Sequence, residues 1–244
     1  MAKELDYTQE QIDALFKGVY DGKINLISLP TDLYDATNNL LNEGIQTGYG
    51  LAGNPETKAL LSNSIAKFSA AKQFQFISEM QNFLFDEKGF LIPFEDFKKY
   101  ADGINSNYNV NWLQAEYNTT HSMARSTKDW EDIQGDKDIF PMLKYETKRD
   151  PKVRNDHVGL NGIVLPVDDD FWIDHFPPNG WRCRCQAIKR EGGKPTDLGK
   201  KKLPKLDDVF RGNAGITKQV FNDKHPYFKV PKEFEKHKNN NFGL

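Results

Sequence analysis

The run Pro177-Pro178-Asn179-Gly180-Trp181-Arg182-Cys183-Arg184-Cys185 holds both cysteines of the chain. Side chains alternate with period two along a strand, so two thiols spaced i, i+2 share one face if the run is extended. Read to Ile188, the segment places Cys183, Cys185 and Ala187 on one side and Arg182, Arg184 and Gln186 on the other. The thiols can then converge on one atom. Upstream, His157 supplies an imidazole, and thiolate with imidazole is a donor set suited to zinc. The candidate ligands are therefore His157, Cys183 and Cys185, and a fourth would come from Asp150, Asp156, Asp174 or His175, among which the sequence does not choose. The competing reading is a pair of buried thiols in a packed strand beside a hydrogen-bonded core histidine. A disulfide between residues two apart would be strained.

Outward from this run, the 244 residues are enough for one core or two modest ones. Hydrophobic residues make up 38% and charged residues 28% of the chain, a polar but not disordered composition. No apolar stretch approaches the roughly 20 residues of a membrane span, and the first residues lack a secretory pattern. The expectation is a protein made in a cytoplasm with no membrane partner. Net charge is −2, yet residues 1–180 hold 17 Lys and Arg against 28 Asp and Glu, while residues 181–244 hold 16 against 7. A basic last quarter on an acidic body suits an anionic partner such as DNA, or is a solvated Lys-rich terminus.

The first half reads as helices. Thr8-Gln9-Glu10-Gln11 forms a capping-box pattern ahead of Ile12, Leu15, Phe16 and Val19, and Gly22 closes the helix. A second helix opens at Pro30-Thr31-Asp32, with Gly44 or Gly48 as its stop, and a third runs from about Thr57 to Phe85 before Asp86–Gly89 breaks it. Further helices are expected from Phe94 to about Gly103 and from Tyr108 to Trp130. From Pro141 the texture turns to short strands at Tyr145–Thr147, Gly162–Leu165 and Arg182–Ile188, with Asp168-Asp169-Asp170 as a turn or helix start. Glu191–Pro195 is a linker signal, Phe210, Val220, Phe221, Tyr227 and Phe228 are anchors for the tail, and Asn239–Asn241 is expected to fray. The fold class is α+β: a helical scaffold over 1–130, a small β module over 131–195 and a basic extension over 196–244.

In order, Tyr145-x-Thr147, Asp150-x-x-Val153-Arg154-x-x-His157-x-x-Leu160-x-Gly162, Asp170-Phe171-Trp172 and Pro177-Pro178-Asn179-Gly180-Trp181-x-Cys183-Arg184-Cys185 form a longer signature. It resembles the MuF-type family of phage head-morphogenesis proteins, also called minor capsid or minor head proteins, over roughly residues 108–190. Motif positions implied by the resemblance are Asp150, Arg154, Gly162, Trp172, Pro178, Gly180, Trp181 and Arg184. Many members carry two upstream cysteines that look like part of a complete zinc site; aligned on Gly162, these fall on Arg154 and His157. Either a ligand is lost here, or Arg154 and Asp150 replace the metal's role with an ion pair or hydrogen bonds.

The resemblance implies a structural minor head protein, located in the virion at the capsid interior or portal vertex. Its partners would be portal or major capsid protein, with packaged DNA met through the basic C-terminal part. The alternative is a zinc-dependent hydrolase or nuclease using a three-ligand site, with Asp150, Asp156 or His175 as base. With the chain ending at Leu244, the toxin-like domains fused to some relatives are not expected.

Overall fold

A computed structural model describes residues 4–148 and 150–244. Its main elements are α1 (Gln9–Tyr20), α2 (Thr31–Tyr49), α3 (Pro55–Gln81), α4 (Phe94–Ser106), α5 (Leu113–Gly135), β1 (Met142–Glu146), α6 (Asn155–Leu160), β2 (Val164–Pro166), α7 (Phe171–His175), β3 (Gln186–Arg190), α8 (Ala214–Thr217) and α9 (Glu235–Asn239). This is a mostly helical α+β fold with one three-stranded sheet, as the sequence pattern predicts. Two compact units form. One comprises the chain up to Glu43, Ser62–Tyr117 and His225–Leu244; the other comprises Gly44–Leu61 and Asn118–Lys224.

In the first unit, α1 starts with the expected reciprocal cap between Thr8 and Gln11, and buries Leu15, Phe16 and Val19. The segment of α3 from Phe68 to Phe74 is buried on every side, which makes it the centre of this unit. Lys72 on that segment therefore has no water to solvate its ammonium. It pairs instead with Glu116 on α5 at 2.5 Å, and Tyr227 donates a hydrogen bond to the other carboxylate oxygen at 2.9 Å. Burial still pushes the Lys72 pKa down, against the attraction of Glu116.

The last twenty residues dock onto the same helix. Gln75 Nε2 donates to the carbonyls of Tyr227 and Lys229, and the rings of Phe234 and Phe242 pack on Phe74. The end expected to fray is thus held, because Phe242 is buried just beyond Asn241. Tyr227 is buried in this unit's core and Phe210, Val220 and Phe221 are buried in the other unit, so four of the five expected anchors lie in cores; Phe228 is half-buried and packs on Phe68.

Several boundaries differ from the sequence reading. Helix α2 passes through Gly44 and Gly48 and stops only at Gly50, whose φ is +90°. A Cβ on Gly48 would lie 2.2 Å from the His121 carbonyl oxygen, so this glycine permits close helix packing and is no terminator. Helix α3 ends at Gln81, four residues short of Phe85. Helix α4 runs past Gly103 into a π-turn at Asn107–Asn111, which joins it to α5.

In the second unit, β1 is the central strand, paired antiparallel with β2 (Leu143 opposite Leu165) and with β3 (Tyr145 opposite Ala187). Its inner face carries Leu143 and Tyr145, which join Trp130, Ile163, Leu165, Trp172 and Phe176 in one core. Asp169 Oδ1 accepts the Phe171 backbone N–H ahead of α7, the helix start foreseen in the Asp168–Asp170 run. Truncating Lys72 to Met strands the Glu116 carboxylate in the first unit's core and should lower unfolding stability by about 3–5 kcal/mol. Urea denaturation of Lys72→Met measures this, and Lys72→Met combined with Glu116→Leu should recover part of the loss.

Candidate metal centre

The two thiols do not sit on a strand. Arg182 adopts the left-handed conformation at φ +57°, and Cys183 N–H donates to the Gly180 carbonyl at 3.1 Å, so the run turns there and joins the sheet only at Gln186. The expected convergence occurs all the same. His157 reaches the site from the short helix α6, an element without a signal in the sequence pattern. Its Nδ1 lies 3.6 Å from Cys183 Sγ and 3.6 Å from Cys185 Sγ. The ligand atoms of the three residues all fall within 4.8 Å of one another. This cluster could hold a metal ion.

The imidazole is oriented from behind. His157 Nε2 is 3.2 Å from the Asn179 carbonyl, which can only accept, so Nε2 carries a proton and Nδ1 faces the sulfurs, where it offers its lone pair once a metal displaces any proton there. Metal-bound histidines are commonly fixed in this way through their second nitrogen. Asn179 is itself held: its side-chain oxygen accepts from Tyr145 at 2.8 Å and its amide donates to the Phe176 carbonyl at 3.3 Å. Tyr145 and Asn179, both buried, thus position the ligand. Both stand in the signature, but nothing in their spacing announces a bond between them.

Without a metal the thiols share their protons unevenly. The hydrogen bond from Cys185 is the largest influence on Cys183 and, with a further bond from His157 and against burial, holds it down at about 4. Cys185 is pushed up by its bond to Cys183 and by burial, and the bond with Cys183 raises His157. Two thiolates in contact repel, so one proton leaves readily and the second does not. A cation between them removes that obstacle.

The remaining motif residues brace the loops. Arg184 makes a bidentate pair with Asp150, both N–O distances being 2.7 Å. Arg154 donates to the Trp181 carbonyl at 2.5 Å, its guanidinium lying where a Cβ on Gly180 would come within 2.9 Å of Nη1. A guanidinium cannot ligate a metal, so Arg154 secures its loop by hydrogen bonding. Gly162 has φ +80° and donates to the Tyr145 carbonyl. Trp172 is fully buried and donates from its indole to the Pro166 carbonyl, and Trp181 packs edge-on against Phe210. The Pro177–Pro178 peptide is cis, and the Pro177 carbonyl accepts from Ser126.

None of the proposed fourth ligands joins the cluster. Asp150 is committed to Arg184, Asp156 accepts the His157 backbone N–H, Asp174 faces Arg211, and the His175 ring stacks on Phe171.

Fold and site together define a helical α+β chain bearing a thiol–imidazole cluster on a small sheet module. Residues 95–188 match the family described as Phage Mu protein F like protein. The chain is 31% identical over 87 residues to "Putative capsid assembly protein F" of Escherichia phage Mu, covering 36% of this chain and 20% of that protein. It is also 32% identical over 69 residues to "Mu-like prophage FluMu F protein" of Haemophilus influenzae, covering 28% of this chain and 16% of that one. The resemblance read from the signature is borne out, and the chain spans a fifth or less of these relatives' lengths. No solved structure gives a significant match. Among the described residues no helix is long and apolar enough to cross a membrane.

Replacing Asn179 by Ala leaves the Tyr145 hydroxyl buried without its acceptor, a loss of about 1–3 kcal/mol. Thermal unfolding should show Asn179→Ala well below the parent. Adding Tyr145→Phe should cost less than its effect in the parent, and strict additivity would contradict the coupling.

Proposed function

We propose that the chain is a structural minor head protein of a Mu-like phage or prophage, acting in capsid assembly at or near the portal inside the head. The observation that carries this reading is the family match over residues 95–188, because that span contains the sheet's first two strands and all three cluster residues. Portal or major capsid protein would be the partner. Exposed lysines such as Lys200, Lys202 and Lys205 in one unit, and Lys229, Lys232 and Lys236 in the other, offer phosphate contacts to packaged DNA.

Within that role the cluster is a zinc staple. Zinc about 2.3 Å from sulfur and about 2.0 Å from nitrogen in a tetrahedron sets the nitrogen and each sulfur roughly 3.5 Å apart. The observed 3.6 Å separations fit that geometry before any ion is placed. His157, Cys183 and Cys185 would hold the ion, which would tie helix α6 to the turn before β3. A hydrolase would instead need a base beside the open position. Asp150, Asp156 and His175 are all engaged away from it, which favours cross-linking over hydrolysis.

The test is an induced lysogen carrying a tagged copy of the gene. The chain should co-purify with portal or capsid protein and be present in DNA-filled heads, and its deletion should lower head yield. Heads that lack the polypeptide and form in undiminished numbers after deletion would count against the role.

A further inference from the structure

Beside the cluster lies a small cavity of about 20 Å³, lined by His157, Cys183 and Cys185 together with Lys148, Lys152 and Arg182 among others. Such a volume admits roughly one water-sized ligand atom, since about 10–15 Å³ suffices for one. Arg154 and Arg184 also border it, but they are held by the Trp181 carbonyl and by Asp150. Lys148, Lys152 and Arg182 are exposed and form no salt bridge among the described residues.

We infer that a metal held by His157, Cys183 and Cys185 takes a phosphate oxygen as its fourth ligand, with the remaining phosphate oxygens met by Lys148, Lys152 and Arg182. This rests on the zinc reading above. Three protein donors leave one tetrahedral position, and no further His, Cys, Asp or Glu joins the cluster among the described residues. Tyr145 and Asn179 are buried behind the imidazole, while the cavity borders all three ligands, so it offers the fourth donor a way in.

Two thiolates and a neutral imidazole cancel the charge of a divalent ion. The metal alone therefore has little preference for an anion, and the cationic rim supplies it. A carboxylate, once ligated, would have one oxygen left for three cations. A phosphate has three, and Lys and Arg both bind phosphate oxygens by charge-assisted hydrogen bonds. The source could be free phosphate or the terminal phosphate monoester of a nucleic-acid end, both of which keep more than one non-bridging oxygen once ligated, as a backbone phosphodiester does not.

Cobalt(II) loaded into the full chain reports both steps. Sulfur-to-cobalt charge-transfer bands establish the three-ligand site, and their absence would refute the zinc reading itself. With those bands present, inorganic phosphate should shift the ligand-field bands at saturable concentration. The variant Lys148→Gln, Lys152→Gln, Arg182→Gln should bind cobalt equally but phosphate more than about tenfold more weakly. A short DNA duplex bearing 5′-terminal phosphates, added in place of phosphate, distinguishes the sources: a shift that is lost when those phosphates are removed assigns the site to nucleic-acid ends, and a shift with phosphate alone assigns it to the free ion. Ligand-field bands unmoved by both, or undiminished phosphate affinity in the triple variant, would overturn the inference.

Discussion

The bond from His157 Nε2 to the Asn179 carbonyl is the constraint on which the rest of the site depends. It selects the tautomer, aims Nδ1 at both sulfurs and joins α6 to the loop that carries the cysteines. That loop is fixed in turn by Tyr145 on the central strand and by Ser126 on α5. The core formed by Trp130, Leu143, Trp172 and Phe176 gives these bonds a rigid base. Preorganisation of this kind lowers the ordering cost that a bound ion would otherwise meet.

Much of the fold was legible because local signals agreed with tertiary demands. The Thr8 cap, the Asp86–Gly89 break and a short strand at Tyr145 all follow from short-range chemistry. The misread positions have non-local causes. Gly48 looks like a stop, but its missing side chain makes room for the His121 carbonyl from a distant helix. The thiols seemed to need a strand, yet a left-handed Arg182 brings them together through a turn that no alternation pattern reveals. Helix α6 is only six residues long, too short for a periodic signal, so the element carrying His157 was invisible while His157 itself was not.

The basic tail shows the same division. Its charge was plain from composition, and its anchors were plain from their aromatic character. What could not be read was where Phe234 and Phe242 dock, since both meet Phe74 more than 150 residues earlier in the chain. Docking removes the apolar residues from solvent and leaves many of the lysines on the surface. The charge asymmetry thus belongs to ordered surfaces rather than to a loose arm.

The central claim is that this module assembles a metal centre from one imidazole and two thiolates. X-ray absorption at the zinc edge of the purified full chain tests it most directly. The account predicts a shell of two sulfurs at about 2.3 Å and a lighter nitrogen and oxygen shell at about 2.0–2.1 Å. Metal-free protein, or zinc surrounded only by nitrogen and oxygen, would contradict it.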